Sequence, residues 1–232
     1  MSTDQHAHEQ PQRSEYFDEL RHRMVQHQLR SRGIADERVL QAMRAVPREE
    51  FVSDSVRDYA YDDCPLPIGF GQTISQPFTV AFQCEALQLQ GDERVLEIGT
   101  GSGYAAAVLS RLAKEVYTVE RIPGLATQAK DTLSRLGYTT AHVATANGTL
   151  GLPDHAPFDG IVVTAGGTSL PKPFLEQLSM GGRIVIPLGE SLYGQSMYRF
   201  TKLPEGLQVE NLGGFAFVPL IGRYGWEESD SK

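Results

Sequence analysis

Val95-Leu96-Glu97-Ile98-Gly99-Thr100-Gly101-Ser102-Gly103-Tyr104 is the stretch on which the reading of this chain turns. An apolar run suited to a buried strand passes straight into glycines at alternate positions, and residues 105–112 behind them have the composition of a helix. Strand, tight turn and helix N-terminus in that order make a ligand cradle. A Cβ in the turn would obstruct both positive φ and the approach of a ligand to the backbone. The free amides of a helix start attract carboxylate or phosphate oxygens.

Two cofactor classes use such a turn. Gly101-x-Gly103-x-x-Ala106 can be written as the dinucleotide fingerprint, with Glu120 about twenty residues on as the ribose acid. In that motif the first glycine closes the strand, whereas here Gly99 closes it and an acid, Glu97, stands just before. Glu97-x-Gly99-x-Gly101-x-Gly103 resembles the first motif of class I S-adenosylmethionine (AdoMet) methyltransferases, where the turn cradles the amino-acid end of the cofactor. The register favours the methyltransferase; on these ten residues a dinucleotide, or a turn that binds nothing, stays open.

Composition narrows the classes further. The 232 residues are 41% hydrophobic and 22% charged, ordinary for a soluble protein with one large α/β domain or a core and an appendage. No apolar run is long enough to span a bilayer, and residues 1–12 are polar, unlike a secretory signal. The expected setting is therefore the cytoplasm, with no membrane partner and with Cys64 and Cys84 as reduced thiols. A net charge of −8, unrelieved by any Lys/Arg cluster, argues against nucleic acid. No Cys/His grouping has zinc-site spacing, so no metal is expected.

Four segments are expected along the chain: a disordered tail over 1–13, a helical cover with a substrate loop over 14–92, an α/β core over 93–221, and a fraying tail over 222–232. In the cover, Leu20, Met24 and Leu29 share a helical face that ends near Gly33. Asp36 caps a second helix that buries Val39, Leu40, Met43 and Val46 and stops at Pro47. Leu66-Pro67-Ile68-Gly69-Phe70-Gly71-Gln72-Thr73-Ile74-Ser75-Gln76-Pro77 carries prolines and glycines that predict irregular backbone presenting its polar side chains. Pro77 suits the first turn of the next helix, with Ser75 or Gln76 at its N-cap. Capping alone would account for Ser75, and no His/Asp partner marks it as an activated nucleophile.

Beyond the glycine turn, strands are predicted over 115–120, 140–144, 158–164, 183–187, 197–203 and 215–220. Helices are predicted over 123–136 and 173–178, the latter closed by Gly181-Gly182. The 158–164 strand is apolar throughout its end and should be central. This alternation predicts an α/β, Rossmann-like, doubly wound class I methyltransferase fold. Its mostly parallel seven-stranded sheet should sit under an N-terminal helical cover.

Ala45-Val46-Pro47-Arg48, Pro67-Ile68-Gly69, Thr73-Ile74-Ser75-Gln76-Pro77, the glycine turn, Val119-Glu120-Arg121, Pro157-Phe158-Asp159, Gly181-Gly182-Arg183 and Phe217-Val218-Pro219-Leu220 together resemble the protein-L-isoaspartate O-methyltransferase family over residues 15–221. The Thr-Ile-Ser-Gln-Pro loop carries most of that specificity. The resemblance implies AdoMet as cofactor, S-adenosyl-L-homocysteine as product, and isoaspartyl proteins and peptides as partners of a monomeric enzyme. It also implies that Glu97, Gly99, Thr100, Gly101 and Ser102 hold the methionine end of AdoMet, Glu120 the ribose, and Asn147-Gly148 the adenine. The family has an acid where Asn147 stands. Ser75 would donate to the substrate carboxylate, with Ile68, Thr73 and Val218 as further substrate contacts. The α-carboxylate of an isoaspartyl residue, with a pKa of roughly 3.3–3.7, is already ionised and needs no general base. Ser75 then orients and does not attack. A class I methyltransferase for another carboxylate or small molecule, and a non-catalytic AdoMet-binding relative, are the alternatives.

Overall fold

The structure is a computed structural model that describes residues 5–191 and 194–227. Its centre is a run of parallel strands buried on both faces, which is why they read as nearly continuous apolar sequence. Strand β3 (Arg94–Ile98) pairs in parallel with β4 (Glu115–Glu120) on one side and β6 (Phe158–Val163) on the other. Strand β5 (Ala141–Thr145) extends the β4 side, and β7 (Leu178–Leu188) the β6 side, both in parallel. Two antiparallel strands, β8 (Gln195–Leu203) and β9 (Gly206–Phe215), complete the order β5-β4-β3-β6-β7-β8-β9. The number of strands in the sheet and the central place of β6 match the sequence reading. Chain order reverses at β3, so the loops leaving β3, β4 and β6 open into a crevice of the kind that binds ligands in open α/β sheets.

Helices α4 (Tyr104–Leu109), α5 (Pro123–Arg135) and α6 (Lys172–Gln177) follow β3, β4 and β6. The cover is helical as expected. Helix α1 spans Gln5–Met24 and runs on through a π-turn at Val25–Leu29 to Gly33. Asp36 caps α2 (Glu37–Ala45), its carboxylate accepting from the backbone amides of Arg38 and Val39. Helix α3 (Pro77–Leu87) starts on its proline.

Several boundaries differ from the sequence reading. The first helix begins at Gln5, so the expected tail over 1–13 is helical from that residue, and residues 1–4 lie outside the described residues. The 66–77 stretch is not irregular: β1 (Leu66–Gly69) and β2 (Gln72–Ile74) form an antiparallel hairpin. Its turn, Gly69-Phe70-Gly71, has positive φ at all three residues, so the glycines that argue against a ladder in the sequence instead close one. Gly181-Gly182 does not end a helix but lies inside β7, where the register with β6 shifts. Residues 215–220 are not the last strand. That strand is β9, a mostly exposed edge in which Leu207, Val209, Leu212 and Phe215 are scattered among polar residues and three glycines, so no compact apolar run marks it. Residues 222–226 fold back on the core, with Trp226 bonded to Leu220 and Gly166, and the expected fraying of the end falls on residues 228–232, outside the described residues.

Candidate active site

The glycine turn, the ends of β4 and β6, the β1–β2 hairpin and residues 218–221 line a cleft whose empty space, counted out into the solvent at its mouth, is about 870 Å³. Gly99, Gly101 and Gly103 have φ of 98°, 54° and 88°. Gly99 and Thr100 both donate their amides to Val119 O, at 2.9 and 3.3 Å, which folds the chain sharply off the strand end. Thr164, at the end of β6, pins the turn from the other side. Its hydroxyl lies 3.0 Å from Ile98 O and 2.8 Å from Gly99 O. A Cβ on Gly99 would come within 2.3 Å of that hydroxyl oxygen, so the position requires glycine for space as well as for φ. Sequence reasoning misses Thr164; a polar residue closing a continuous apolar strand is the available signal.

Glu97 lines the floor of the cleft and is fully buried. Thr118 Oγ1 donates to its Oε2 at 2.6 Å, and Thr100 Oγ1 lies 2.6 Å from Thr118 Oγ1. Its Oε1 has no partner among the described residues. Burial pushes the Glu97 carboxyl up to about 8, against the lowering bond from Thr118 and with a further rise from the charge of Glu120. A buried acceptor left open in a ligand cleft is unusual, since such groups are nearly always bonded; here it suits a cationic group on the ligand.

Glu120 ends β4 nearly buried, with Oε2 accepting the Gly101 amide at 3.0 Å and Oε1 the Ile122 amide at 2.9 Å. Each carboxylate oxygen keeps acceptor capacity after one such bond, which fits a vicinal diol. Ile122, Leu125, Gly148, Leu220 and Ile221 form the apolar part of the cleft beside it; of these, only Gly148 is expected from the sequence. Ser102 and Thr100 also line the cleft.

Asn147 is placed differently from the sequence expectation. Gly148 lines the cleft, but the Asn147 side chain does not. Its Oδ1 accepts from Thr149 N at 3.1 Å and Thr149 Oγ1 at 2.8 Å, capping the 3₁₀ turn Gly148–Leu150. The amide oxygen expected to accept from adenine is thus already engaged, and Nδ2 is the part of the amide left over.

Ser75 and Thr73 also line the cleft, as does Val218. The N-cap of α3 is Gln76, with no side-chain capping bond, so Ser75 is not a helix cap. Ile68 does not line the cleft; it packs behind the turn, its Cδ1 3.3 Å from where a Gly101 Cβ would stand. An orphaned carboxylate oxygen for an ammonium, an acid for a ribose and an apolar slot for a base make a donor set that fits AdoMet.

The family model described as protein-L-isoaspartate(D-aspartate) O-methyltransferase matches residues 20–225. The chain belongs to this family. Its relatives include protein-L-isoaspartate O-methyltransferase 1 of Syntrophobacter fumaroxidans, 54% identical over 91% of this chain and 98% of the relative. Protein-L-isoaspartate O-methyltransferase 2 of Pelobacter propionicus is 55% identical over 88% of this chain and 91% of its own. A solved protein-L-isoaspartate O-methyltransferase superposes with a TM-score of 0.81 at 32% identity, covering 88% of this chain and 67% of that one. A β-aspartate methyltransferase from Plasmodium falciparum, solved in complex with S-adenosyl-L-homocysteine, gives 0.72 at 25% identity over 85% of this chain and 97% of that one. Membership of an AdoMet-dependent methyltransferase family removes the dinucleotide reading of the glycine turn.

Proposed function

We infer that this chain transfers a methyl group from AdoMet to the α-carboxylate of L-isoaspartyl residues in damaged proteins and peptides, the step that starts their repair. The observation that carries the reading is Ser75. It faces the cofactor cleft from the substrate loop without the capping role that would otherwise explain it.

AdoMet supplies a methyl group on a positively charged sulfur. Glu97 and the glycine turn would hold its methionine end, Glu120 its ribose, and the apolar slot at Ile122, Leu125 and Gly148 its adenine. The substrate carboxylate arrives ionised, so the chain needs no group to remove a proton. The Ser75 hydroxyl donates to one carboxylate oxygen and so aims the other; Thr73 and the backbone at Val218 hold the flanking peptide. Rate comes from orientation, which for well-placed reactants can be worth on the order of 7–11 kcal/mol.

Among the described residues no helix is long and apolar enough to cross a membrane, and Cys64 and Cys84 are free thiols. A cytoplasmic monomer acting on isoaspartyl proteins is the setting this reading takes. The test is methyl transfer to an isoaspartyl peptide beside its aspartyl twin, with wild type and Ser75→Ala. Transfer to the isoaspartyl peptide alone is expected. Removing a bond to a charged carboxylate should lower kcat/KM by about ten- to a hundredfold, with AdoMet affinity unchanged. Equal labelling of both peptides, or full efficiency in Ser75→Ala, would sink the assignment.

A further inference from the structure

Residues 218–221 form one wall of the cleft, yet they belong to no strand or helix. What fixes them is Gly166. Its amide donates to Val218 O at 2.7 Å and its carbonyl accepts from Leu220 N at 2.8 Å. The same carbonyl accepts the indole Nε1–H of Trp226 at 3.0 Å, which engages both of its lone pairs. Trp226 closes the loop on itself as well, its amide donating to Leu220 O at 2.8 Å while its carbonyl accepts from Gly222 at 3.2 Å. On the far side Gln195 Oε1 accepts the Phe217 amide at 2.9 Å, and its side chain lies against Gly166 so closely that a Cβ there would sit 2.9 Å from Gln195 Cδ. Methyl transfer makes no direct use of Trp226, the sequence's only tryptophan. Nonetheless its polar edge is spent on the one residue that also holds the wall.

We propose that Trp226 is a positioning residue: its indole N–H, bonded to Gly166 O, locks the wall that presents Val218 to the substrate and Leu220 and Ile221 to the cofactor. The proposal rests on the reading of the cleft as the methyl-transfer site. The two backbone bonds to Gly166 make a ladder too short to hold a loop rigid, and the bond from the Trp226 amide to Leu220 O lies within the loop itself. The indole bond ties the returning chain to the same carbonyl, so the wall and the 222–226 turn open together or not at all.

Trp226→Phe keeps an aromatic ring and deletes the donor. KM for an isoaspartyl peptide and Kd for S-adenosyl-L-homocysteine should both rise on the order of three- to tenfold, while kcat stays within about twofold. The Phe217 and Leu220 amides should exchange with deuterium faster than in wild type, and by the same factor. Unchanged KM and Kd, even with a lowered Tm, would mean a purely structural role and overturn the proposal. If the variant does not fold, exchange in the wild type decides. The indole N–H of Trp226 and the amide of Leu220, which share Gly166 O, exchanging at one rate support the lock, and an indole N–H that exchanges far faster than the Leu220 amide refutes it. Should no isoaspartyl peptide be methylated at all, the Kd for S-adenosyl-L-homocysteine and the exchange rates still decide the role of Trp226, so the two failures are distinguishable.

Discussion

Glu97 holds one hydrogen bond, keeps one oxygen open, and is pushed by burial up to about 8. Below that value the free protein keeps the carboxyl protonated, whereas a cationic ligand group favours the ionised form. Binding AdoMet at pH 7 should therefore release a proton, and affinity should climb as pH rises toward 8. Titration calorimetry at pH 7 in buffers of different ionisation enthalpy should give buffer-dependent heats; identical heats would place the ammonium elsewhere. Asn147 poses the opposite problem. With Oδ1 engaged by Thr149, only the NH₂ of the amide is left over, and an NH₂ cannot accept from an adenine amino group. An aspartate would cap Thr149 with one oxygen and leave the other as acceptor. Asn147→Asp should therefore tighten AdoMet by about 1 kcal/mol, roughly fivefold. An unaltered Kd would mean that this position does not read adenine.

The strand–turn–helix unit shows how far single elements are legible in sequence. The turn can be placed to the residue because its glycines are demanded by backbone geometry, and geometry is local. Thr164 cannot, since its partners, Ile98 O and Gly99 O, lie far away in sequence. The hairpin β1–β2 is hidden for a related reason. Pro67 and Gly69 depress strand propensity, and only pairing with β2 makes a ladder of them. Residues 215–220 mislead in the reverse sense: Phe217 and Leu220 are buried, so an apolar run that reads as a strand is a loop pressed onto the sheet end. At this scale Gly99→Ala is the informative change. The left-handed backbone costs a residue with a Cβ roughly 1–2 kcal/mol, and the new methyl would strike the Thr164 hydroxyl at 2.3 Å. A lowered Tm together with loss of measurable AdoMet binding is expected. A variant that binds normally would show that the turn can shift without penalty.

For the whole molecule, the mostly parallel sheet and its helical cover are legible in the sequence, and the structure packs the two on one shared core. Met24, Leu29, Met43 and Phe51 from the cover share one buried cluster with Tyr104, Ala107, Val108 and Leu133 from the core. Phe51 meets the Tyr104 ring edge-on at 5.6 Å, and the fully buried Arg48 stacks over the same ring at 4.9 Å. Arg38 crosses the same boundary to donate to Leu112 O at 3.1 Å. Tyr104 opens the helix behind the glycine turn and itself lines the cleft, so the cover supports the floor of the cofactor site. A unit whose apolar face is completed by another cannot bury enough surface alone to offset the entropy of ordering its chain. The protein should thus unfold in one cooperative transition, with far-UV circular dichroism and Trp226 fluorescence giving coincident midpoints. A fragment beginning at residue 93 should fail to fold and bind no S-adenosyl-L-homocysteine. Two resolved transitions, or a fragment that binds, would show that the α/β core stands without its cover.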